Sequence, residues 1–430
     1  MRSETEQARR RVLLLATTTG YQTRMFAEAA AALGVEIVYA TDRCDHLEDP
    51  WRDGAIPVRF HLEWRSVGVV LKALEARPVS GVLVVGDRPS VLAAHVARQL
   101  GLPGHPPEAA TAARDKRLSR ERLKAAGLPV PEFFAVPAAI DASTLLSRVV
   151  FPVVVKPTVL SGSRGVIRAD NELSFVTAFD RVRRLLASID IRELHDAEAD
   201  VIQVESYIPG AEYALEGLLE HGVFHTLAIF DKPDAMDGPF FEESIYVTPS
   251  RVNVAIQAQI RDVVERAARA VGLHHGPVHA ECRVNNSGVY VLEVAARPIG
   301  GLCARALRFV KPGEPPIGLE QLLLRHALGE PIGEWTREPQ ASAVMMVPIP
   351  RSGVFRGATG VDQARAVAGV DAVVITAKPD QHLLALPEGS SYLGFIFAHA
   401  PTPAEAEQAV RAAHGCVRVT IDPWLEVSKQ

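Results

Sequence analysis

A chain of 430 residues with 48% hydrophobic and 23% charged residues reads as a globular protein of roughly two to four domains. Its net charge of −5 gives no ground for nucleic-acid or lipid partners. Four scattered cysteines, Cys44, Cys282, Cys303 and Cys416, form no CxxC pair, which argues against a disulfide framework or zinc site and for a reducing, cytoplasmic compartment.

The charged start MRSETEQARRR is expected to fray, and the apolar run Val12 to Ala16 is too short for a signal-peptide core or a membrane span. Arg11 to Ala16 reads as a strand, Gln22 to Leu33 as a helix stopped by Gly34, and Val35 to Ala40 as the next strand. Val79 to Val85 is another strand and Ser90 to Leu100 an Ala-rich helix. Alternating strands and helices imply a doubly wound parallel sheet. The turn TTTGYQT lacks G-x-G-x-x-G, which disfavours a nicotinamide oxidoreductase, and Asp42 reads as a strand-end residue rather than a ribose ligand.

His105-Pro106-Pro107 marks a linker, followed by a basic helix from about Ala109 to Ala126, stopped by Gly127. Taken alone, Lys116, Arg117, Arg120 and Arg122 on that helix read as a solvated face. Phe151 to Lys156 and Val166 to Arg168 are strands around the tip Ser161-Gly162-Ser163-Arg164-Gly165. Glycine amides and serine hydroxyls suit phosphate oxygens, but no GK[ST] follows, and such a tip is also an ordinary turn. Ala199 to Val204, Ala214 to Leu219 and Val223 to Phe230 are further strands, and Val254 to Val271 is an amphipathic helix closed by Gly272. Between them Asp231 to Arg251 forms a long turn-rich loop, a feature that often carries function.

The stretch from Gly276 to Gly301 alternates. Val278, Ala280, Cys282 and Val284 share one face; His279, Glu281 and Arg283 share the other. After a three-residue loop, Asn286-Ser287-Gly288, the apolar face is Tyr290, Leu292, Val294 and Ala296, opposite Val291, Glu293, Ala295 and Arg297. Pairing Asn285 with Val289 puts Glu281 opposite Glu293, about 5 Å apart at Cβ. Facing carboxylates repel, and a magnesium ion would remove the penalty, with Arg297 holding an anion beside it. The other reading is a surface hairpin with solvated charges.

The ordered series Asp115-Lys116 on a basic helix, VVVKP, the Gly/Ser hairpin, VESYIPGAEY and two acidic strands ending in EVAAR resembles the ATP-grasp superfamily over roughly residues 12 to 330. Within it the chain is most similar to carboxylate–amine ligases of the L-amino-acid ligase and carnosine synthase type. YLGFIFAHAPTPAEAEQAVRAAH resembles the C-terminal domain of amino-acid ligases. The resemblance implies an α/β and α+β ATP-grasp fold: an N-terminal Rossmann-like domain (1–108), an ATP-grasp domain (109–335) and a small C-terminal α+β domain (336–430).

It also implies roles. Lys116 and Lys156 would contact the ATP phosphates, and Ser161, Gly162, Ser163 and Gly165 would close over them. Glu205, Ser206 and Ile208 would line the adenine, and Glu212 would take the ribose. Glu281 and Glu293 would hold Mg²⁺ or Mn²⁺. Arg297 would hold an acyl phosphate, with Gly300 and Gly301 beside the substrate. Glu243 would bind a substrate amino group, with Tyr246 where such ligases carry a histidine. His279 would either touch the intermediate or stand behind residues that do. Lys156, Arg297 and His279 are thus the catalytic candidates. Ala295 departs from the family, replacing a common metal-binding Asn. The implied reaction joins a small carboxylate to an amine through an acyl phosphate. A biotin-carboxylase-like enzyme and a non-catalytic nucleotide-binding regulator are the rivals.

From about Ala341 the sequence predicts strands at Ala341 to Val347, Ala372 to Ala377, Tyr392 to Ala398 and Val417 to Ile421, and a helix from Ala404 to His414. They are expected to form a supporting unit packed over the site. Pro387-Glu388-Gly389 reads there as ordinary turn chemistry. A homodimer is the expected oligomer, two-fold pairs being the commonest.

Overall fold

The computed structural model describes residues 10–17, 22–43, 54–196 and 198–424. The expected frayed start (1–9), most of the TTTGYQT turn (18–21) and Cys44 lie outside the described residues. Strands β1 (Arg11–Ala16), β2 (Glu36–Thr41), β3 (Ile56–Pro57) and β4 (Gly81–Val85) form a parallel sheet in the order β3-β2-β1-β4. Central β1 is buried at all six positions, as an unbroken apolar run in a parallel sheet must be. Helices α1 (Gln22–Leu33), α2 (Glu63–Leu74) and α3 (Ser90–Gln99) accompany this sheet. Asp42 leaves the end of β2 and pairs with Arg88 at 2.9 Å.

The single basic helix expected next is two helices, α4 (Pro107–Arg114) and α5 (Lys116–Ala125). Asp115 breaks them with an extended backbone, and its carboxylate accepts the N–H groups of Arg117 at 2.8 Å and Leu118 at 3.0 Å. Aspartate caps a new helix better than it continues an old one. Lys116 therefore opens α5, and its N–H is tied to the Thr158 carbonyl at 2.9 Å.

An antiparallel sheet follows in the order β5-β8-β6-β7, from β5 (Phe133–Pro137), β6 (Val153–Pro157), β7 (Ile167–Ala169) and β8 (Val201–Ser206). Helix α6 (Glu172–Leu186) packs Phe175, Phe179 and Val182 onto Val153, Val155, Ile202 and Val204 of that sheet. The Gly/Ser tip is the turn between β6 and β7.

The largest sheet has eight strands in the order β13-β12-β9-β10-β11-β17-β21-β19. It joins β9 (Ala211–Glu220), β10 (Val223–Lys232), β11 (Ile245–Thr248), β12 (Gly276–Asn285) and β13 (Gly288–Ala295) to β17 (Ala341–Val347), β19 (Val370–Ile375) and β21 (Gly394–Ala400). The C-terminal strands thus continue the same ladder, through β11 and β17, instead of resting on it. Helix α7 (Val254–Val271) covers the β12 and β13 end, and α8 (Pro403–Cys416) covers β17 and β21. Small sheets of β14 (Arg308–Lys311), β15 (Glu314–Gly318) and β16 (Thr336–Arg337), and of β18 (Gly353–Thr359), β20 (His382–Leu383) and β22 (Arg418–Asp422), complete the strands.

The β12–β13 hairpin corrects the expected register. Asn285 pairs with Gly288 across a two-residue loop, so Val284 and not Asn285 faces Val289. Leu292 is then an extra residue: Cys282 pairs with Val291 and Glu281 with Glu293. The bulge reverses the side-chain parity of β13. Val289 and Val291 are buried with Val294 and Ala296 under α7, while Tyr290 and Leu292 fall on the other side.

Candidate active site

Between the three sheets lies a cavity of about 460 Å³. Its nucleotide-like side is built from the β6–β7 hairpin and the end of β8. Lys116, Lys156, Ser161, Gly162, Ser163, Glu205, Ser206, Ile208 and Glu212 all line it; Gly165 stands behind the wall, its N–H bonded to the Pro387 carbonyl at 2.8 Å. The Lys116 ammonium donates to the Leu160 carbonyl. Lys156 reaches Glu205 at 2.6 Å, and Arg120 grips the same carboxylate at 2.7 Å. Burial alone would raise the Glu205 pKa, but Arg120 and then Lys156 outweigh it and hold it at about 2. Burial drags Lys156 down to about 8, only partly offset by Glu205.

The Ser206 N–H donates to the Glu132 carbonyl at 2.9 Å, and the Ile208 carbonyl accepts from Arg283 at 2.8 Å. Glu205, part of the same wall, is an ion-pair partner at 4% exposure.

The opposite side is a charge cluster on the inner face of β9, β10 and β12. The Lys232 ammonium sits among Glu212 at 2.8 Å, Glu243 at 2.7 Å and Glu281 at 3.0 Å. Oxygens of these three carboxylates lie within 4.8 Å of one another. Burial and the neighbouring Glu281 push Glu243 up to about 7 despite Lys232. Glu281 stays low because Lys232 and His279 overcome its burial. The second oxygen of Glu212 accepts from Arg283 at 2.9 Å. Tyr246 donates its hydroxyl to Glu281 at 3.3 Å.

His279 stands between Glu216 at 3.4 Å and Glu281 at 3.5 Å, distances of charge contact rather than of close hydrogen bonds. Burial lowers its pKa, but the two carboxylates raise it to about 9, so the imidazolium is the form at neutral pH. Arg297 donates Nε to Asp87 at 2.8 Å and lies 3.8 Å from Glu293. Asp87 follows β4, so the parallel sheet aims the guanidinium. Gly300 and Gly301 line the cavity beside it. Ala295 is 1% exposed and faces His279 across the ladder.

Comparison with known proteins matches this layout segment by segment. Residues 27–104 match the ATP-grasp N-terminal domain, 149–306 the ATP-grasp domain, and 345–422 the L-amino acid ligase C-terminal domain 2. The crystal structure of L-amino acid ligase from Bacillus licheniformis superposes with a TM-score of 0.80 at 26% identity, covering 96% of this chain and all (100%) of that one. This chain belongs to the ATP-grasp superfamily. Alanine–anticapsin ligase of Bacillus subtilis is 28% identical over 220 residues, which is 48% of this chain and 46% of the length of that relative. Biotin carboxylase from Campylobacter jejuni, at 15% identity and a TM-score of 0.65 over 97% of this chain and 93% of that one, shares the ATP-grasp fold.

The donor set of the ATP-grasp cavity suits a hard divalent cation: Glu281 and Glu293 offer oxygen only, from adjacent positions on two paired strands. The three-carboxylate group, however, is completed by Glu212 and Glu243 and already holds an ammonium, and Glu293 belongs instead with Arg297.

Several residues in or behind the cavity wall escaped sequence reasoning. Asp87 had a usable signal, lying just past the carboxyl end of a parallel strand, where such sheets bind ligands. Arg120, on the helix face expected to be solvated, is 1% exposed. Lys232, Glu216 and Arg283 carry no local signature. Met346, Ser390, Ser391 and Tyr392 bring the C-terminal segment, expected only to support, into the cavity wall.

Proposed function

We propose that the chain is an ATP-dependent carboxylate–amine ligase, joining an acid, free or of an amino acid, to the amine of an amino acid or other small amine. The observation that carries this is the convergence on one cavity of Lys116, Lys156, the Gly/Ser hairpin, the Glu281–Glu293 pair and Arg297. The likeness to L-amino acid ligase and alanine–anticapsin ligase supports the choice of amino-acid substrates.

In this reading a substrate carboxylate oxygen attacks the γ-phosphorus of ATP, the bond to the β-phosphate oxygen breaks, and acyl phosphate and ADP form. The amine nitrogen then attacks the acyl carbon, loses a proton, and phosphate leaves. Phosphoryl transfer asks a protein mainly for positioning and charge neutralisation. Lys116 and Lys156 steady the phosphates, and the hairpin covers them. Arg297, aimed by Asp87, holds the transferred phosphoryl oxygens. Magnesium or manganese bound by Glu281 and Glu293 would neutralise phosphate charge. The His279 imidazolium fixes Glu281 and adds positive charge nearby. Glu243, poised at about 7, suits a group that binds an ammonium and takes its proton before attack.

The test is phosphate release from Mg-ATP against a matrix of paired amino acids and small carboxylic acids, with product masses recorded. Release that needs two substrates, with a mass equal to their sum less water, supports the ligase. The buried Ala295 favours one second reading, a nucleotide-binding regulator. That protein would bind Mg-ATP tightly, release no phosphate with any pair, and gain turnover on Ala295→Asn.

A further inference from the structure

The segment 387–392 pins the Gly/Ser hairpin from outside and lines the cavity from inside. Arg181 on α6 makes a two-pronged pair with Glu388, at 2.5 and 2.9 Å. Arg164 in the hairpin tip donates Nε to the Glu388 carbonyl at 2.6 Å. Gly165 donates its N–H to the Pro387 carbonyl at 2.8 Å. A Cβ at Gly162 would stand 3.3 Å from the Ser390 Cβ, so tip and segment are in contact along their length. Ser390, Ser391 and Tyr392 then share the cavity wall with Ser161, Gly162 and Ser163. Far from ordinary turn chemistry, Glu388 is where the subdomain bearing the hairpin meets the C-terminal segment.

We propose that Glu388 is a positioning residue that, with Arg181 and Arg164, latches the hairpin over the phosphates while the acyl phosphate awaits its amine. The role in coupling rests on the ligase reading above. If the hairpin lifts, a water oxygen attacks the acyl carbon, the carbon–oxygen bond to phosphate breaks, and the acid is regenerated. ATP is then spent without amide formation. The Arg181 and Glu388 side chains are each 37% exposed. Such a pair is modest in strength and screened by salt, which suits a contact that must open in each turnover to release ADP.

The experiment compares wild type with Glu388→Gln and Arg181→Gln, two surface changes that keep side-chain length or polarity, and with the charge-swapped Arg181→Glu/Glu388→Arg double variant. Hydrogen exchange of residues 161–166, measured without substrate, should quicken about two- to five-fold in each single variant, the range expected of a half-exposed pair, and return toward wild type in the swap. Exchange in β1 should not change. With substrates, the excess of ADP over amide should grow by about the same two- to five-fold factor in the single variants, and again fall back in the swap. Unchanged exchange at 161–166 in both single variants overturns the latch, whatever the activity. Faster exchange with an unchanged ADP-to-amide ratio overturns its role in coupling. Should wild type join no acid–amine pair, the ligase reading fails, while the exchange result still decides the latch.

Discussion

Arg120→Met is the most informative single change outside the reacting groups. Arg120 donates to Glu205 at 2.7 and 3.4 Å and to the carbonyls of Val291 and Leu292 at 2.9 Å each. It therefore ties the end of β8 to the bulge in β13 that sets Glu293. Breaking a buried ion pair costs about 3–5 kcal/mol, and a stranded buried carbonyl about 1–3 kcal/mol. Glu205 keeps Lys156 and Gln203, each at 2.6 Å, which places the pair term at its lower end. With the lower end taken for each of the two carbonyls as well, a total loss of about 5 kcal/mol is expected, a large share of the ~5–15 kcal/mol of a typical domain.

The assay is urea unfolding at pH 7 with a parallel Mg-ATP titration, and Arg117→Gln on the same helix as control. Arg117 pairs with Glu121 at 3.2 Å with side chains 32% and 50% exposed, so its loss should stay below about 1 kcal/mol. The pH dependence has a definite sign. The folded pKa of Glu205, about 2, lies below the ordinary 4.5. Its stabilisation is thus present above pH 4.5 and is lost as pH falls toward 2, and the gap between wild type and Arg120→Met should narrow over that window. A loss under 1 kcal/mol, no larger than the control's, with unchanged ATP affinity, would refute the reasoning.

Three further outcomes are expected. Glu293→Gln should abolish ADP formation while leaving the melting temperature within a few degrees; full turnover in that variant sinks the metal assignment. Because Lys156 titrates at about 8 and its ammonium is the form that meets phosphate, the Kd for Mg-ATP should rise by up to about tenfold per pH unit above pH 8, read by calorimetry. A flat profile to pH 10 contradicts that contact. Gly165→Ala should cost about 1–2 kcal/mol in thermal unfolding, since Gly165 has φ +74° and a Cβ there would come within 2.9 Å of Leu185 and 3.0 Å of Pro157. A neutral result would show that the hairpin can relax.

What the sequence made legible is what has a local period. The buried run of β1, the alternation of β12 and the Gly272 stop of α7 are all decided by neighbours in the chain, and each appears where its pattern puts it. The Glu281–Glu293 pair was reached by a compensating misplacement. The expected three-residue loop adds one residue at the tip, whereas the fold adds it at Leu292, and both routes bring the two carboxylates opposite each other. Leucine in the apolar phase gives no sign of a bulge. What stayed hidden depends on distant partners. Arg120 looks solvated on a helical wheel because Glu205 is 85 residues away. Lys232, on a strand read as ending two residues earlier, meets Glu281 only after the sheet is assembled. Glu388 acquires its meaning from Arg181, 207 residues before it.

The bulge at Leu292 also divides the β12–β13 hairpin into two parts with different tolerance to length change. Outward of Arg283 and Tyr290, the ladder can gain or lose residues in facing pairs without turning any of the cavity side chains described above. Inward, one residue removed between Glu293 and Arg297 would put those two side chains on opposite sides of β13, so that only one of them could keep its place in the cavity. Natural or engineered relatives should therefore vary freely in the length of the tip, while a single gap between Glu293 and Arg297 marks a chain that keeps the fold and has given up the chemistry.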